Sequence, residues 1–306
     1  MALTISIVFS SNKLNSFEEL YKYISGLLLF LIAASLEYED KIKIIRAIVI
    51  TGLVISLLAI YQYFFGFQHI LEYVNKAKFT DPFILDYISR NRVFFPFVTP
   101  NALGGYLAML IPLTLVFKDK SWFIIPLSFA LLLTKSLGAL ISLFLALGLY
   151  FYLKKGLEKK IIFFLYGLFL IICLVFVTRL TAQKQHLQPI FSTVMRLNYW
   201  KDTLNIIKAR PLTGVGLGNF NLIQSRYAHN SYLQIWAEMG IFGLISFIWV
   251  ITTVLKSKLQ NIKYNSRKET IYLLIAVTTV ILHNFVDFTF FMPEVMFIWW
   301  VILGLI

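Results

Sequence analysis

The sequence predicts an all-α, polytopic membrane protein with about nine transmembrane helices, one large external loop and a surface-lying helix within that loop. Three observations carry this. First, 59% of the 306 residues are hydrophobic and only 14% are charged, with a mean hydropathy of +0.77, whereas a soluble domain carries roughly 25% charged residues. Second, unbroken apolar runs recur at the length a bilayer ~30 Å thick requires of a helix, while a β-barrel would show short alternating segments. Third, one polar, basic stretch, Arg179 to Tyr232, separates two very hydrophobic blocks. It holds Arg179, Lys184, Arg196, Lys201, Lys208, Arg210 and Arg226 against the single acid Asp202, together with His186 and His229. So large a basic segment between spans suits a loop that handles an anionic group.

Taken in order, Met1 to Ser10 is apolar but short and has no basic leader, so it reads as a peripheral or re-entrant piece or the tail of a missing span, not a signal peptide. Ser16-Phe17-Glu18-Glu19 has capping-box spacing ahead of the first span, Leu20–Leu36. Further spans are expected at Ile45–Phe65, Asn101–Phe117, Trp122–Thr134, Leu137–Leu153, Ile161–Thr178, Leu233–Leu255, Thr270–Val286 and Pro293–Ile306. The Lys/Arg clusters at 41–46, 118–120, 154–160 and 256–268 fall on one side, which is then cytoplasmic; the segments 66–100 and 179–232 fall on the other. Long loops cross regardless of charge, so basic residues there are functional candidates. No repeat, low-complexity tract or soluble second domain interrupts what reads as one membrane domain, 1–306.

Inside the large loop, Thr193–Arg210 is expected to be a helix. Met195, Tyr199, Leu204 and Ile206–Ile207 form its apolar side, Tyr199 and Trp200 lie at headgroup level, and Pro211 follows its end. Gly214-Val-Gly216-Leu-Gly218 then reads as a tight turn with close backbone packing. No strand precedes it and its spacing differs from a dinucleotide fingerprint. The one cysteine, Cys173, lies in an apolar run, so neither a disulfide framework nor a thiolate metal site is expected. No His/Cys/carboxylate grouping has metal-ligand spacing, no Gly-x-Ser-x-Gly element occurs, and no nucleic-acid motif accompanies the net charge of +13.

His229 is the sharpest candidate for chemistry. It precedes Asn230-Ser231, which look like helix caps, and the positive end of a helix dipole favours neutral imidazole, the form a general base needs. The same position suits a histidine that only caps or hydrogen-bonds at the interface, and the pattern leaves both roles open. Arg90, Arg92, Arg179, Arg196, Arg210 and Arg226 are candidates for phosphate, since guanidinium forks bind its oxygens bidentately; contact with lipid headgroups is the alternative for any one of them. Glu238 lies inside a span, and His283 and Asp287 at i, i+4 either pair with each other or serve the site.

Four stretches carry a resemblance. They are Arg92-Val-Phe-Phe-Pro-Phe-Val-Thr-Pro-Asn101-Ala-Leu-Gly-Gly-Tyr-Leu, then Arg196-Leu-Asn-Tyr-Trp200 with Pro211-Leu-Thr-Gly214-Val-Gly216-Leu-Gly218-Asn-Phe, then Ala228-His229-Asn230-Ser-Tyr-Leu-Gln-Ile-Trp-Ala-Glu238-Met-Gly240-Ile-Phe-Gly243, and His283-Asn-Phe-Val-Asp287-Phe with Pro293 and Gly304. Together they resemble the O-antigen ligase and O-antigen polymerase superfamily of bacterial envelope glycan transferases. The resemblance implies a GT-C-like enzyme in the bacterial cytoplasmic (inner) membrane, with its large loop on the periplasmic side. Its donor would be a glycan on undecaprenyl pyrophosphate, and its acceptor a hydroxyl of lipid A core, polysaccharide or protein. It implies that His229 deprotonates the acceptor, that Arg196, Arg92, Arg210 and Arg226 are the candidates for pyrophosphate, and that Asn230, Glu238, His283, Asp287 and Asn101 support the site. It also implies that neither metal, nucleotide nor nucleic acid takes part. The chain departs from the family at Ser136-Leu137-Gly138, where many members have Ser-Arg-Gly; Lys135 is the nearest basic residue. A transporter or flippase of a lipid-linked glycan is the competing class, and would call for related halves and broken helices.

Overall fold

The computed structural model describes residues 1–77, 82–117, 122–153, 167–177, 191–223, 225–265 and 268–306. Every regular element among them is helical, and no strand occurs among the described residues. Arg179, Lys184, His186 and the basic clusters at 118–120 and 154–160 lie outside the described residues. Two stretches, Tyr38–Val74 and Ser231–Leu259, are long and apolar enough by length and composition to cross a bilayer, and shorter apolar helices accompany them. Each expected span overlaps a helix, although Ile161–Thr178 is described only at 167–177; the count of nine crossings rests on the sequence alone.

The described chain divides into two compact units. The first comprises Met1–Leu36, Gln188–Arg267 and Ile281–Ile306. Its helices are α1 (Ala2–Val8) and α2 (Lys13–Ser35) and, after the intervening unit, α10 (Phe191–Ala209), α11 (Ser231–Asn265), the end of α12 (Lys268–His283), a 3₁₀ turn at Thr289–Phe291 and α13 (Pro293–Leu305). Helices α2 and α13 pack closely because small residues line the contact. Gly26 faces the Trp300 indole, and Gly304 lies against the Phe30 carbonyl and Ala33, so any side chain there would collide. Helix α2 starts a turn before the expected capping box. Asn12 caps it, accepting from the Leu14 and Asn15 amides, and Ser16 instead donates to the Leu217 carbonyl at 2.8 Å.

The second unit comprises Glu37–Leu187 and Lys268–Val280. It contains α3 (Tyr38–Tyr61), a π-helical turn at Gln62–Gly66, α4 (Phe67–Ala77), α5 (Pro82–Ser89), α6 (Pro100–Thr114), α7 (Ile124–Thr134), α8 (Leu137–Leu153) and α9 (Gly167–Val177). Helix α6 is buried nearly all round, as expected of a helix apolar on every face. Where the sequence suggested a loop from Gly66 to Pro100, helices α4 and α5 occupy most of the span. The helix begun at Tyr38 runs on through the π turn, because apolar residues continue past Phe65 and nothing there terminates it.

Candidate functional site

In the first unit, α10 presents Tyr199, Thr203 and Ile207 inward at i, i+4 and i+8, all buried, with Met195 and Ile206 packed beside them. The expected apolar side included Leu204, but that residue is 41% exposed. The inward row takes Thr203 instead, whose hydroxyl is satisfied by the Tyr199 carbonyl at 2.6 Å. Phe220, Leu222, Ala228 and Ala237 complete this core.

After α10 the chain turns through Gly214, Gly216 and Gly218, all at positive φ, and meets a break in α11. At Gly240 the backbone adopts φ 67°, ψ −176°, a region only glycine occupies readily. A Cβ at Gly240 would strike the Leu212 carbonyl, and one at Gly214 would strike the Glu238 carbonyl. The break frees carbonyls of α11, and the glycine turn satisfies them. The Val215 amide donates to the Ala237 carbonyl at 2.8 Å, and the Gly216 amide to the Glu238 carbonyl at 2.9 Å. In return, Ile241 donates to the Pro211 carbonyl at 3.0 Å. The glycines are therefore a packing device that ties the end of α10 to α11, as close backbone approach requires.

This scaffold presents His229. Asn230 caps α11, its side-chain oxygen accepting from the Tyr232 and Leu233 amides at 3.0 Å each, a contact worth about 1 kcal/mol in typical helices. Its amide donates to the Phe285 carbonyl. His229 itself has φ 53°, a left-handed conformation uncommon outside glycine. Its ring stacks on Tyr199, with centroids 5.5 Å apart, and meets the edge of Phe288 at 4.6 Å. Trp200 donates to its carbonyl. Burial pushes the imidazole pKa down from its usual value to about 4; Arg196 lowers it further, and Asp287 opposes both. The ring is thus neutral near pH 7, chiefly through desolvation, whereas the sequence suggested the helix dipole as cause.

Arg196 and Asp287 stand beside the histidine. The Arg196 guanidinium lies 3.8 Å from Asp287 Oδ2, and the carboxylate is 1% exposed. Asp287 Oδ1 accepts the Phe288 amide at 2.8 Å. Neither Asp287 Oδ2 nor Arg196 Nε has a hydrogen-bond partner among the described residues, and both atoms are buried. His283 adjoins the same pair and feels both charges. It does not share a helix face with Asp287, as the i, i+4 spacing suggested, because α12 ends at His283 and Asp287 lies in the following turn. Asn284 accounts for that turn: its oxygen accepts from the Ser231 hydroxyl at 2.5 Å and from the Phe290 amide at 3.0 Å, and its amide donates to Thr289. Sequence reasoning missed Asn284, since its partner Ser231 is more than fifty residues away.

The other predicted residues fall elsewhere. Arg210, exposed, donates to the Ser11 hydroxyl at 3.2 Å, and Arg226 is exposed in the loop ahead of His229. Glu238 is buried in α11, facing the glycine turn. In the second unit, Arg92 is 7% exposed, and its donors go to the Thr134 carbonyl at 3.0 Å and Asn101 Oδ1 at 2.9 Å while its guanidinium covers Tyr87. Lys135, the residue nearest the missing arginine at 137, donates to the Arg90 carbonyl at 2.6 Å, and Arg90 pairs with Asp86. No group of three or more metal-binding side chains occurs among the described residues.

An all-helical integral membrane protein with a neutral, half-buried histidine beside an arginine–carboxylate pair is the class these features define. Residues 122–248 match the family model described as O-Antigen ligase, a stretch that contains Arg196, the glycine turn, His229 and the break in α11. The match covers less than half of the chain; it supports a similarity to the O-antigen ligase superfamily and, in general terms, a membrane glycosyltransferase-like function. No curated protein and no solved structure gives a significant match.

Proposed function

We propose that the protein transfers a glycan from undecaprenyl pyrophosphate to an acceptor hydroxyl, on the periplasmic side of a bacterial cytoplasmic membrane, with His229 as general base. The observation that carries this reading is the juxtaposition of a neutral imidazole with a guanidinium whose buried Nε has no hydrogen-bond partner among the described residues. In the proposed step the acceptor oxygen attacks the anomeric carbon and its proton passes to His229. The bond from that carbon to the pyrophosphate oxygen breaks, and undecaprenyl pyrophosphate departs. Charge growing on that leaving group is what Arg196 is suited to offset, as preorganised cations do in water-poor sites.

Asp287 has two roles in this scheme. It holds Arg196 in place before the donor arrives, and it stabilises the imidazolium that forms when His229 takes the proton. His283, adjoining the same charges, supports the cluster from the end of α12. Arg210 and Arg226, exposed on the same unit, are assigned to drawing in the anionic donor. Arg92 and Asn101, already bound to each other, are assigned to the framework of their own unit. Nothing in this chemistry calls for a metal or nucleotide. The break at Gly240 does not favour the transporter reading, because its freed backbone groups are satisfied by the glycine turn and offer no ion ligands.

The test is transfer by purified protein from a polyprenyl-pyrophosphate glycan to lipid A core, polysaccharide and protein acceptors, for the parent and for His229→Ala at matched folded concentration. The expected result is transfer to one acceptor class by the parent and none by the variant. A variant as active as the parent would reduce His229 to a cap.

A further inference from the structure

One buried side chain adjoining the histidine has no part in the scheme above. Gln234 lies one turn inside α11 and is 2% exposed. Its Oε1 accepts the Ala228 amide at 3.1 Å, and Ala228 is itself fully buried. Its Nε2 donates to Glu238 Oε1 at 3.0 Å, one further turn along the helix. The second oxygen of Glu238 accepts the Gly218 amide at 3.1 Å, and the Glu238 backbone carbonyl accepts from Gly216 and from the Ser6 hydroxyl, both at 2.9 Å. One continuous chain of hydrogen bonds therefore runs from the glycine turn, through two side chains of α11, to the backbone amide of Ala228, the residue before His229.

The direction of this chain follows from donor and acceptor inventory. The Ala228 backbone N–H only donates, so the carbonyl end of the Gln234 amide has to face it. The NH₂ end of that amide then faces Glu238. His229 follows at φ 53°, a conformation that needs outside contacts to hold it. Asn230 fixes the backbone after the histidine through the cap; Gln234 fixes it before. We infer that Gln234, anchored by Glu238, is a positioning residue that holds the Ala228 backbone and, through it, the left-handed conformation of His229 from which its imidazole meets the acceptor hydroxyl.

This inference rests on the reading of His229 as the base, and the experiment separates the two. Gln234→Leu, Glu238→Gln, the double variant and His229→Ala are compared in kcat and donor KM, alongside the melting temperature of each. Gln234→Leu keeps the bulk of the side chain and removes the acceptor for Ala228. It is expected to lower kcat by about 10²-fold with donor KM unchanged, as a misplaced catalytic group does. Glu238→Gln leaves one side-chain oxygen where two accept from Gln234 and Gly218, and is expected to lower kcat less. The double variant is expected to be no worse than Gln234→Leu, because both act through the same N–H.

A purely structural role would move melting temperature and leave kcat per folded molecule intact. Parental kcat in Gln234→Leu, with His229→Ala inactive, overturns the positioning role and leaves the base in place. Parental kcat in His229→Ala removes the base itself, and this inference with it. Where Gln234→Leu does not accumulate, Glu238→Gln decides alone: lowered kcat at unchanged KM supports the inference, and parental kcat overturns it.

Discussion

Each compact unit contains an arginine that the sequence marks as a candidate for phosphate, and the two have different partners. Arg92 is bound by the Thr134 carbonyl and the Asn101 side chain and lies over Tyr87. Among the described residues, Arg196 has Asp287 as its charged neighbour at 3.8 Å and its buried Nε makes no hydrogen bond, and it stands next to a neutral histidine. A guanidinium satisfied by its own protein contributes to the fold, because its hydrogen bonds are already made. One left under-satisfied in a buried place costs stability, and a ligand that completes its bonds recovers that cost. The difference lies in the partners, which no count of arginines along the chain conveys.

The sharpest way to break this contrast is to remove the scaffold beneath one side of it. Gly240→Ala puts a Cβ against the Leu212 carbonyl at a backbone conformation only glycine accepts readily. The expected outcome is loss of folded protein, at a cost of roughly 3 kcal/mol or more, read as yield and melting temperature. Parental stability would mean that the tie between α10 and α11 is looser than its geometry indicates. Next in size is Asp287→Asn, which withdraws the charge facing both Arg196 and His229. It should lower kcat by about 10-fold to 10²-fold, since the imidazolium loses its counter-charge. An unchanged kcat would remove Asp287 from the site.

A pH profile sharpens the contrast further. With its pKa near 4, His229 is neutral across the physiological range. Transfer limited by this group should be flat above about pH 5 and fall as acid protonates the ring. A break near the ordinary histidine value of about 6.5 would indicate a solvated imidazole instead. The same depression links folding to pH. The unfolded histidine takes up its proton first, so the stability tied to neutral His229 is present above about pH 6.5 and is lost as pH falls toward the folded value. Denaturant midpoints measured from pH 7 down to 4 check that sign.

Much of the first unit is legible in sequence because its signals are local. Asn230-Ser231 announces the start of α11, Pro211 marks the end of α10, and Gly214, Gly216 and Gly218 mark a turn. His229 and Arg196 stand out by chemical type within a basic segment. What the sequence hides depends on contacts between distant residues. The glycine turn has meaning only beside the break at Gly240, and a lone glycine in an apolar run does not reveal that break. Asn284 matters through Ser231, and the contacts of Arg92 with Thr134 and Asn101 are not visible in its sequence neighbourhood. The i, i+4 spacing of His283 and Asp287 misled because it assumed a helix that ends at His283.

The most direct measurement compares Arg196→Ala with Arg92→Ala in kcat and donor KM, each normalised to folded protein. If Arg196 is the residue that meets the leaving pyrophosphate, its loss lowers kcat/KM by about 10²-fold to 10³-fold, as removal of a transition-state donor does. Loss of Arg92 should lower melting temperature while the folded fraction keeps its kcat. The opposite result, with Arg92→Ala inactive though folded and Arg196→Ala active, would contradict the assignment of the reaction to the Arg196–His229–Asp287 cluster.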